Sequence, residues 1–391
     1  MSRACCARLP ARLETESSIS NDVQVNSPID PSELAQVLLP FGESTMLPAA
    51  AYTSDSVLAW ERRFLFAGSW TCLGRTATLA AEGNQRALAV GDIGVVMTFD
   101  AGAPRAFANF CRHRGHELLS LGTACDRPSL VCPYHGWSYG LDGSLKTTPR
   151  IELDKQRYQL VELPCVDWHG WLFVNALGDA PSFEEHLGTL DNLVRPYDPG
   201  SLVVRARHEY QVHANWKIVA ENYHECYHCP LIHPELCAVS PPSSGSNWHE
   251  PGSWVGGSME LREFAETMSH DGKSYGALLP GVDTRTVRYL GLFPNFLVSL
   301  HPDYVMTHRL IPVTPDVTTV ECEWLFPSSV TNPSYAVDFW DVTNKQDWAA
   351  CESVQRGVSS PHYRPGPLAP NENAVYDWVQ LVARAYAAAG G

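Results

Sequence analysis

The sequence predicts an α+β chain: a small all-β domain followed by a larger domain whose antiparallel sheet is flanked by helices. Three observations carry that expectation. Short strand-like runs punctuated by Gly and Asp turns fill residues 70–175, and mixed helix and strand signals follow from about residue 180. The length of 391 residues, 45% apolar and 18% charged, suits two domains with cores of their own.

The elements follow in chain order. Residues 1–13 carry Arg3, Arg8 and Arg12 with no acid before Glu14, a faint likeness to a transit peptide, although a disordered cytoplasmic tail is the plainer reading. Residues 15–35, rich in Ser, Asn, Asp and Pro, read as loop, so residues 1–46 are expected to be a flexible segment. Ser54 through Phe66 reads as a helix capped by Ser54 or Asp55, with Val57, Trp60 and Phe64 at helical spacing; the stretch 47–68 is assigned to the larger domain. The β domain is expected over 69–178. Ala87–Val90 and Val95–Phe99 flank the turn Gly91-Asp92, Asp142-Gly143 marks a hairpin, and Trp168–Val174 closes the region. Beyond it, over 179–391, helices are expected at 183–194, 215–229, 336–356 and 371–388, and strands at 201–213, 285–300 and 304–325.

Composition excludes some functions. A net charge of −15 argues against a nucleic-acid partner, since nothing concentrates Lys and Arg against a phosphate backbone. No apolar run has the length to span a bilayer. The 12 cysteines of so long a chain, without a secretory signal, point to a reducing compartment and a cytoplasmic location.

Two short pairs carry the first chemistry: Cys111-Arg112-His113 and Cys132-Pro133-Tyr134-His135, with residues 114–131 between them. Two thiolates can hold one iron of a [2Fe–2S] cluster while two imidazoles hold the other, and replacing thiolate by neutral imidazole raises the potential. A Cys2His2 zinc site uses the same ligand types, but usually groups Cys with Cys and His with His. The tails Arg114-Gly115-His116 and Gly136-Trp137 resemble Rieske ligand loops.

A second constellation spans 215–234. On a continuous helix Glu221, Glu225 and His228 would share one face, with Val219, Tyr223, Cys226 and Tyr227 turned toward the sheet. Pro230 would kink or end that helix and bring His233 back toward His228. Two His and one carboxylate form an iron site with open positions. Asp347 is the candidate third ligand, because it shares an apolar helical stripe with Trp340, Cys351 and Val354, where a carboxylate is costly unless paired or metal-bound. Zinc held by Cys226, Cys229 and a His is the rival, and a salt bridge from Asp347 to an Arg is the bland alternative.

With both motifs in order, the chain resembles the terminal oxygenase (α) subunits of Rieske non-haem iron oxygenases. The likeness runs from about Leu47 to Leu381 and includes Asn215-Trp216-Lys217, Gln346-Asp347 and Gln355-Arg356-Gly357. The resemblance implies that Cys111, His113, Cys132 and His135 bind [2Fe–2S], and that His228, His233 and Asp347 bind mononuclear Fe(II). It places Glu225 and Asn222 in the catalytic set. Glu225 would be the bridging acid, more often Asp, in a chain His135–Glu225–His228 across a subunit boundary. The resemblance further implies a homotrimer, O2 as co-substrate and a separate NAD(P)H-dependent flavin/iron-sulfur reductase.

Within that family, Glu221–Pro234 and Leu292–Pro327 look most like the branch acting on quaternary ammonium compounds, such as the glycine betaine and stachydrine demethylases and carnitine oxygenases. The resemblance implies N-demethylation of a substrate such as glycine betaine, with aromatic-ring hydroxylation or O-demethylation as the alternative. A quaternary ammonium is met by aromatic faces. Trp248, Trp254, Tyr289 and Phe293 are expected near the pocket, and an Arg or His would meet any carboxylate.

Overall fold

The computed structural model describes residues 7–8, 26–100 and 103–388. The chain separates into two compact units, one built on Glu61–Pro181 together with the strand Ala7–Arg8, the other on the residues from Gln24 to Trp60 together with those from Ser182 onward. Apart from Ala7–Arg8, the Arg-bearing stretch 1–13 and its transit-peptide reading lie outside the described residues.

The first unit is all-β apart from short helical turns. Its six-stranded antiparallel sheet runs in the order Ala7–Arg8, Thr123–Cys125, Gln85–Val90, Ile93–Asp100, Ala103–Ala108, Glu162–Leu163. The Gly91-Asp92 turn closes the hairpin between Gln85–Val90 and Ile93–Asp100, with Val90 facing Ile93. A small sheet of Ser129–Val131, Ser138–Gly140 and Leu145–Thr147 carries the Asp142-Gly143 turn. A third sheet pairs Cys165–Trp168, Trp171–Val174 and Thr71–Arg75. The region 168–174 is thus the turn His169-Gly170, where φ is positive at both residues, followed by the return strand Trp171–Val174. Val96, Phe107, Leu118, Leu130, Trp137, Tyr139 and Leu145 form a buried cluster that also holds Cys111 and Cys132.

In the second unit a seven-stranded antiparallel sheet has the order Val203–Val212, Val317–Phe326, Val305–Thr314, Phe296–Leu300, Thr286–Leu292, Trp254–Glu260, Ser246–Trp248. The runs expected as single strands at 285–300 and 304–325 are both hairpins, because Phe293-Pro294-Asn295 and Pro315-Asp316 turn the chain. The expected helix 183–194 divides into Phe183–Leu187 and Leu190–Val194, since Gly188 adopts φ 52° where a Cβ would meet the Pro251 carbonyl oxygen at 1.9 Å. Ser334–Val358 runs through Gly357 and is capped at Ser359, two residues beyond the end expected at 356. The final helix is Asn373–Ala388.

Two expectations near the N-terminus are corrected. Part of the segment read as flexible loop is the helix Pro31–Val37, started by the Asp30 side chain on the Ser32 N–H (2.8 Å) and anchored by buried Leu34 and Val37. The single helix expected over 54–66 is the α-helix Asp55–Glu61 followed by the π-helical turn Arg62–Phe66. Among the described residues no helix is long and apolar enough to cross a membrane.

A buried polar knot fixes the two helices that matter most to the site. Asn215 caps Trp216–Tyr223 by accepting from the Lys217 N–H (3.0 Å), while its amide donates to the Pro315 carbonyl (2.7 Å). Its backbone N–H donates to Gln355 Oε1 (2.9 Å) on Ser334–Val358. The helix start is therefore tied to the long helix and to a sheet hairpin at once.

Candidate active site

In the first unit, two loops of matched geometry present the Cys/His pairs. In each, the Cys carbonyl accepts from a glycine N–H four residues on: Gly115 to Cys111 (2.9 Å) and Gly136 to Cys132 (3.1 Å). Each Cys N–H donates to the carbonyl five residues on, His116 and Trp137, at 2.8 Å. Both glycines have φ 73°, a conformation that L side chains rarely adopt, which accounts for the glycines in the two tails. The loops bring the His113 and His135 rings to 4.6 Å between centroids, and Trp137 stacks on His113 at 4.8 Å. Cys111 and Cys132 lie buried in one cluster, close enough to interact. The Tyr139 hydroxyl lies 3.3 Å from Cys111 Sγ and accepts from the Arg112 N–H (3.0 Å). His113 Nδ1 is buried with no hydrogen-bond partner. An orphaned imidazole nitrogen beside a second imidazole and two thiols fits a [2Fe–2S] cluster held by two Cys and two His.

In the second unit, three donor atoms converge. His228 Nε2 and His233 Nε2 are 3.1 Å apart, and Asp347 Oδ1 is 3.3 Å from the first and 2.9 Å from the second. The partners of Asp347 are thus two imidazoles, which disposes of the Arg salt bridge. Burial opposes protonation of His228, but the carboxylates of Asp347 and Glu225 outweigh it and hold the imidazole at about 10. Burial would raise Asp347, yet its contacts with His228 and His233 keep it below the usual carboxylate range. Without metal the site stores protons that a divalent cation displaces. Cys229 also lies within 4.8 Å of both imidazoles, and its sulfur is joined to Cys226 in a disulfide.

The local backbone differs from the sequence reading. Trp216–Tyr223 ends at His224, and a second short helix, Cys229–Ile232, begins after it with Pro230 in its first turn. Pro230 starts a helix, where its missing N–H costs nothing, instead of breaking one. The turn between is held by Glu225, whose Oε2 accepts from the N–H groups of Tyr227 and His228 (3.2 Å for the latter) while Oε1 meets His228 Nδ1. Glu221, Glu225 and His228 therefore share no helical face. Glu221 points the other way, buried against the Tyr52 hydroxyl (2.9 Å), and Tyr227 is 61% exposed instead of facing the sheet. His233 Nδ1 is oriented by Gln346 Oε1 (2.7 Å), and Gln346 donates to Glu235 (3.2 Å).

The comparisons with known proteins agree with this geometry. Residues 69–166 match the Rieske [2Fe-2S] domain, and residues 199–388 match the ring hydroxylating alpha subunit (catalytic domain). The glycine betaine monooxygenase oxygenase subunit of Chromohalobacter salexigens is 30% identical over 375 residues, covering 85% of this chain and 84% of that protein. The chain belongs to the Rieske ring-hydroxylating oxygenase alpha-subunit family. The carnitine monooxygenase oxygenase subunit of Escherichia coli K12 is 30% identical over 335 residues, covering 82% of this chain and 86% of that protein. The crystal structure of the quaternary ammonium Rieske monooxygenase CntA with an inhibitor superposes with a TM-score of 0.72 at 25% identity, over 88% of this chain and 96% of that one.

This Rieske oxygenase is an oxidoreductase with a [2Fe–2S] domain and a separate metal-binding site, the terminal component that uses O2. Beside its His228–His233–Asp347 cluster opens a cavity of about 120 Å³. Asn222 and Glu225 both line it. Of the four aromatics expected there, only Tyr289 does. Trp254 is fully buried at a sheet strand, Phe293 packs on Trp216 and Trp378, and Trp248 lies on the edge strand. The aromatic lining comes instead from Tyr223, His308, Trp340 and Trp348 together with Tyr289. The spacing held a signal for part of it: 340, 343, 344, 347 and 348 follow one helical face, the face that carries Asp347.

Proposed function

We propose that this oxygenase removes an N-methyl group from a quaternary ammonium compound of the betaine–carnitine–choline class. The observation that carries the reading is a continuous arc of rings beside the metal cluster. Trp340, Tyr289, Tyr223, His308 and Trp348 follow one another at centroid distances of 6.3, 6.1, 5.7 and 6.2 Å. A quaternary ammonium has no N–H to donate, and ring faces attract it through cation–π contacts. No Lys or Arg lines the cavity among the described residues.

The roles follow from the donor atoms. Cys111, Cys132, His113 and His135 would hold the cluster, and His228, His233 and Asp347 the mononuclear iron. When bound, iron and cluster supply open coordination positions and the electrons needed to activate O2. Gln346 fixes the His233 ring so that Nε2 presents its lone pair to the metal. Glu225 does the same for His228 through Nδ1, and in this reading it would bridge to the cluster ligand His135 of a neighbouring subunit in a homotrimer. Asn222 borders the substrate space. The cavity walls hold the substrate methyl toward the metal and exclude bulk water. One oxygen atom of O2 enters a C–H bond of the methyl, and the other leaves as water with two electrons and two protons. The resulting carbinolamine collapses to formaldehyde and the demethylated amine. A cytoplasmic NAD(P)H-dependent reductase with flavin and iron–sulfur centres is the electron source in this reading.

The test is formaldehyde release by iron-loaded protein with a generic Rieske reductase, NADH and O2, across betaines, carnitine and choline. Stoichiometric formaldehyde with one of them is the expected result. A reducible cluster and bound iron with no formaldehyde from any of them would overturn N-demethylation in favour of ring hydroxylation, O-demethylation or attack away from the methyl groups.

A further inference from the structure

The turn that carries His228 is closed by a covalent bond as well as by the Glu225 hydrogen bonds: Cys226 and Cys229, on either side of Tyr227-His228, are joined in a disulfide. Neither sulfur belongs to the His228–His233–Asp347 set, yet both residues line the cavity beside it. The Cys229 sulfur, a ring nitrogen of His228 and a ring nitrogen of His233 all lie within 4.8 Å of one another. Zinc bonds of about 2.3 Å to sulfur and about 2.0 Å to nitrogen set two such donors about 3.6 Å apart. A free Cys229 thiolate therefore needs only a side-chain rotation to reach the ion that the two imidazoles hold.

The backbone under Cys229 does not depend on the bridge. Its carbonyl accepts from the His233 N–H (2.9 Å) and from Cys237 Sγ (3.3 Å), and its N–H donates to the Cys226 carbonyl (3.3 Å). Glu225 holds the turn through the N–H groups of Tyr227 and His228. Opening the disulfide thus frees two side chains and leaves the turn in place. The two sulfurs differ in access: Cys226 is half-buried beside exposed Tyr227, whereas Cys229 is 3% exposed. A dithiol reductant attacks the residue it can reach, Cys226, forms a mixed disulfide there and expels Cys229 as a thiolate against the imidazoles. Its second thiol then displaces Cys226. One S–S bond breaks, two electrons and two protons pass to the pair, and the reductant leaves as a cyclic disulfide. Cys229 gives up its proton when it binds metal.

We propose that the Cys226–Cys229 pair is a redox-modified site that sets the number of protein ligands at the mononuclear metal. Closed, it leaves His228, His233 and Asp347 alone on the ion; opened, the Cys229 thiolate joins them. Three donors keep positions open for O2, whereas two imidazoles, a carboxylate and a thiolate make a closed four-ligand set of the kind that holds zinc. Reduction of the pair shuts the oxygenase site without unfolding it. A disulfide oxidant such as oxidised glutathione reopens it, taking the two electrons and two protons and leaving as two thiols.

The test loads one equivalent of zinc at the mononuclear site of the full, cluster-bearing chain. X-ray absorption at the zinc edge then counts sulfur neighbours without interference from the cluster iron. After anaerobic treatment with dithiothreitol, removed by gel filtration before zinc is added, one sulfur neighbour per zinc at about 2.3 Å is expected. After the same handling with oxidised glutathione, none is expected. Cys226→Ser cannot form the bridge and should show the sulfur neighbour under both treatments, and Cys229→Ser under neither, with an unchanged cluster absorption spectrum as the control for folding. Alkylation and peptide mass mapping of the same samples record whether the pair is closed. Absence of a sulfur neighbour from both the reduced protein and Cys226→Ser would overturn the proposal. So would a sulfur neighbour retained by reduced Cys229→Ser, or a pair that stays free for alkylation after oxidised glutathione.

Discussion

Replacing Gln346 by Leu removes a group that touches neither O2 nor substrate, yet it should cost the protein much of its mononuclear iron. Gln346 Oε1 accepts from His233 Nδ1 at 2.7 Å, which leaves Nε2 as the lone pair facing Asp347 and His228. Two independent lines give the size of the effect. Loss of a partner that orients a ligating imidazole typically lowers metal affinity by about 10- to 100-fold, equivalent to about 1.4–2.8 kcal/mol. A buried N–H left without its acceptor costs about 1–3 kcal/mol. His233 is 1% exposed, so water cannot step in cheaply. The assay is Fe(II) titration against a chromophoric chelator, with the cluster spectrum followed in the same sample. Gln346→Leu should weaken iron binding by about 10- to 100-fold at constant cluster absorbance. Gln346→Glu, which keeps an acceptor at the same place, should recover most of it. An iron affinity within about twofold of the unaltered protein would refute the argument that this hydrogen bond orients the ligand. Parallel loss of the cluster signal would show that Gln346 serves folding instead.

Three further predictions test the neighbouring residues. Asp347→Ala should abolish stoichiometric iron binding and turnover while the cluster spectrum persists; loss of both signals together would assign Asp347 to folding. Glu225→Gln keeps the turn-forming oxygen but not the charge, so both metals should bind while turnover under saturating reductase falls by at least about tenfold, and normal turnover would remove Glu225 from the electron path. Burial pushes Glu221 up to about 7 despite the Tyr52 hydroxyl and Lys217 beside it, so the folded protein holds this proton more tightly than the unfolded chain. The stability it lends is complete below about pH 4.5 and is lost as pH rises toward 7, at about 1.4 kcal/mol per pH unit. Glu221→Gln should therefore raise the melting temperature relative to the unaltered protein more at pH 7.5 than at pH 5, and an identical difference at both would contradict the assignment.

The cluster loops were legible because their chemistry is local. Each Cys/His pair, its glycine and its hydrogen-bonded return lie within six consecutive residues, so spacing and turn chemistry describe almost all of the geometry. The β unit around them was legible for the same reason: its hairpins turn at Gly91-Asp92 and Asp142-Gly143, dipeptides with an intrinsic turn preference. The long runs at 285–300 and 304–325 were harder. The run 304–325 alternates on both sides of Pro315-Asp316, and 285–300 is apolar on both sides of Phe293-Pro294-Asn295, so the pattern alone does not mark where one strand stops and its partner starts.

The metal helix was misread for a physical reason that also explains the site. Periodicity alone continues Trp216–Tyr223 through residue 229, since Glu225, Cys226 and Tyr227 are tolerable in a helix. What stops it is the Glu225 carboxylate, which accepts the N–H groups of Tyr227 and His228 and so competes with the helical ladder. Glutamate seldom plays that part, and no window of propensities would assign it. The break is also what turns His228 Nδ1 onto Glu225 and frees Nε2 for the metal side. One carboxylate thus ends a helix, orients a ligand and remains beside the substrate space. A regular helix through 229 would have left His228 and His233 on different faces, separated by five residues. The deviation from sequence expectation and the capacity to bind a metal therefore have the same cause, and Glu225→Ala should disturb the backbone turn where Glu225→Gln does not.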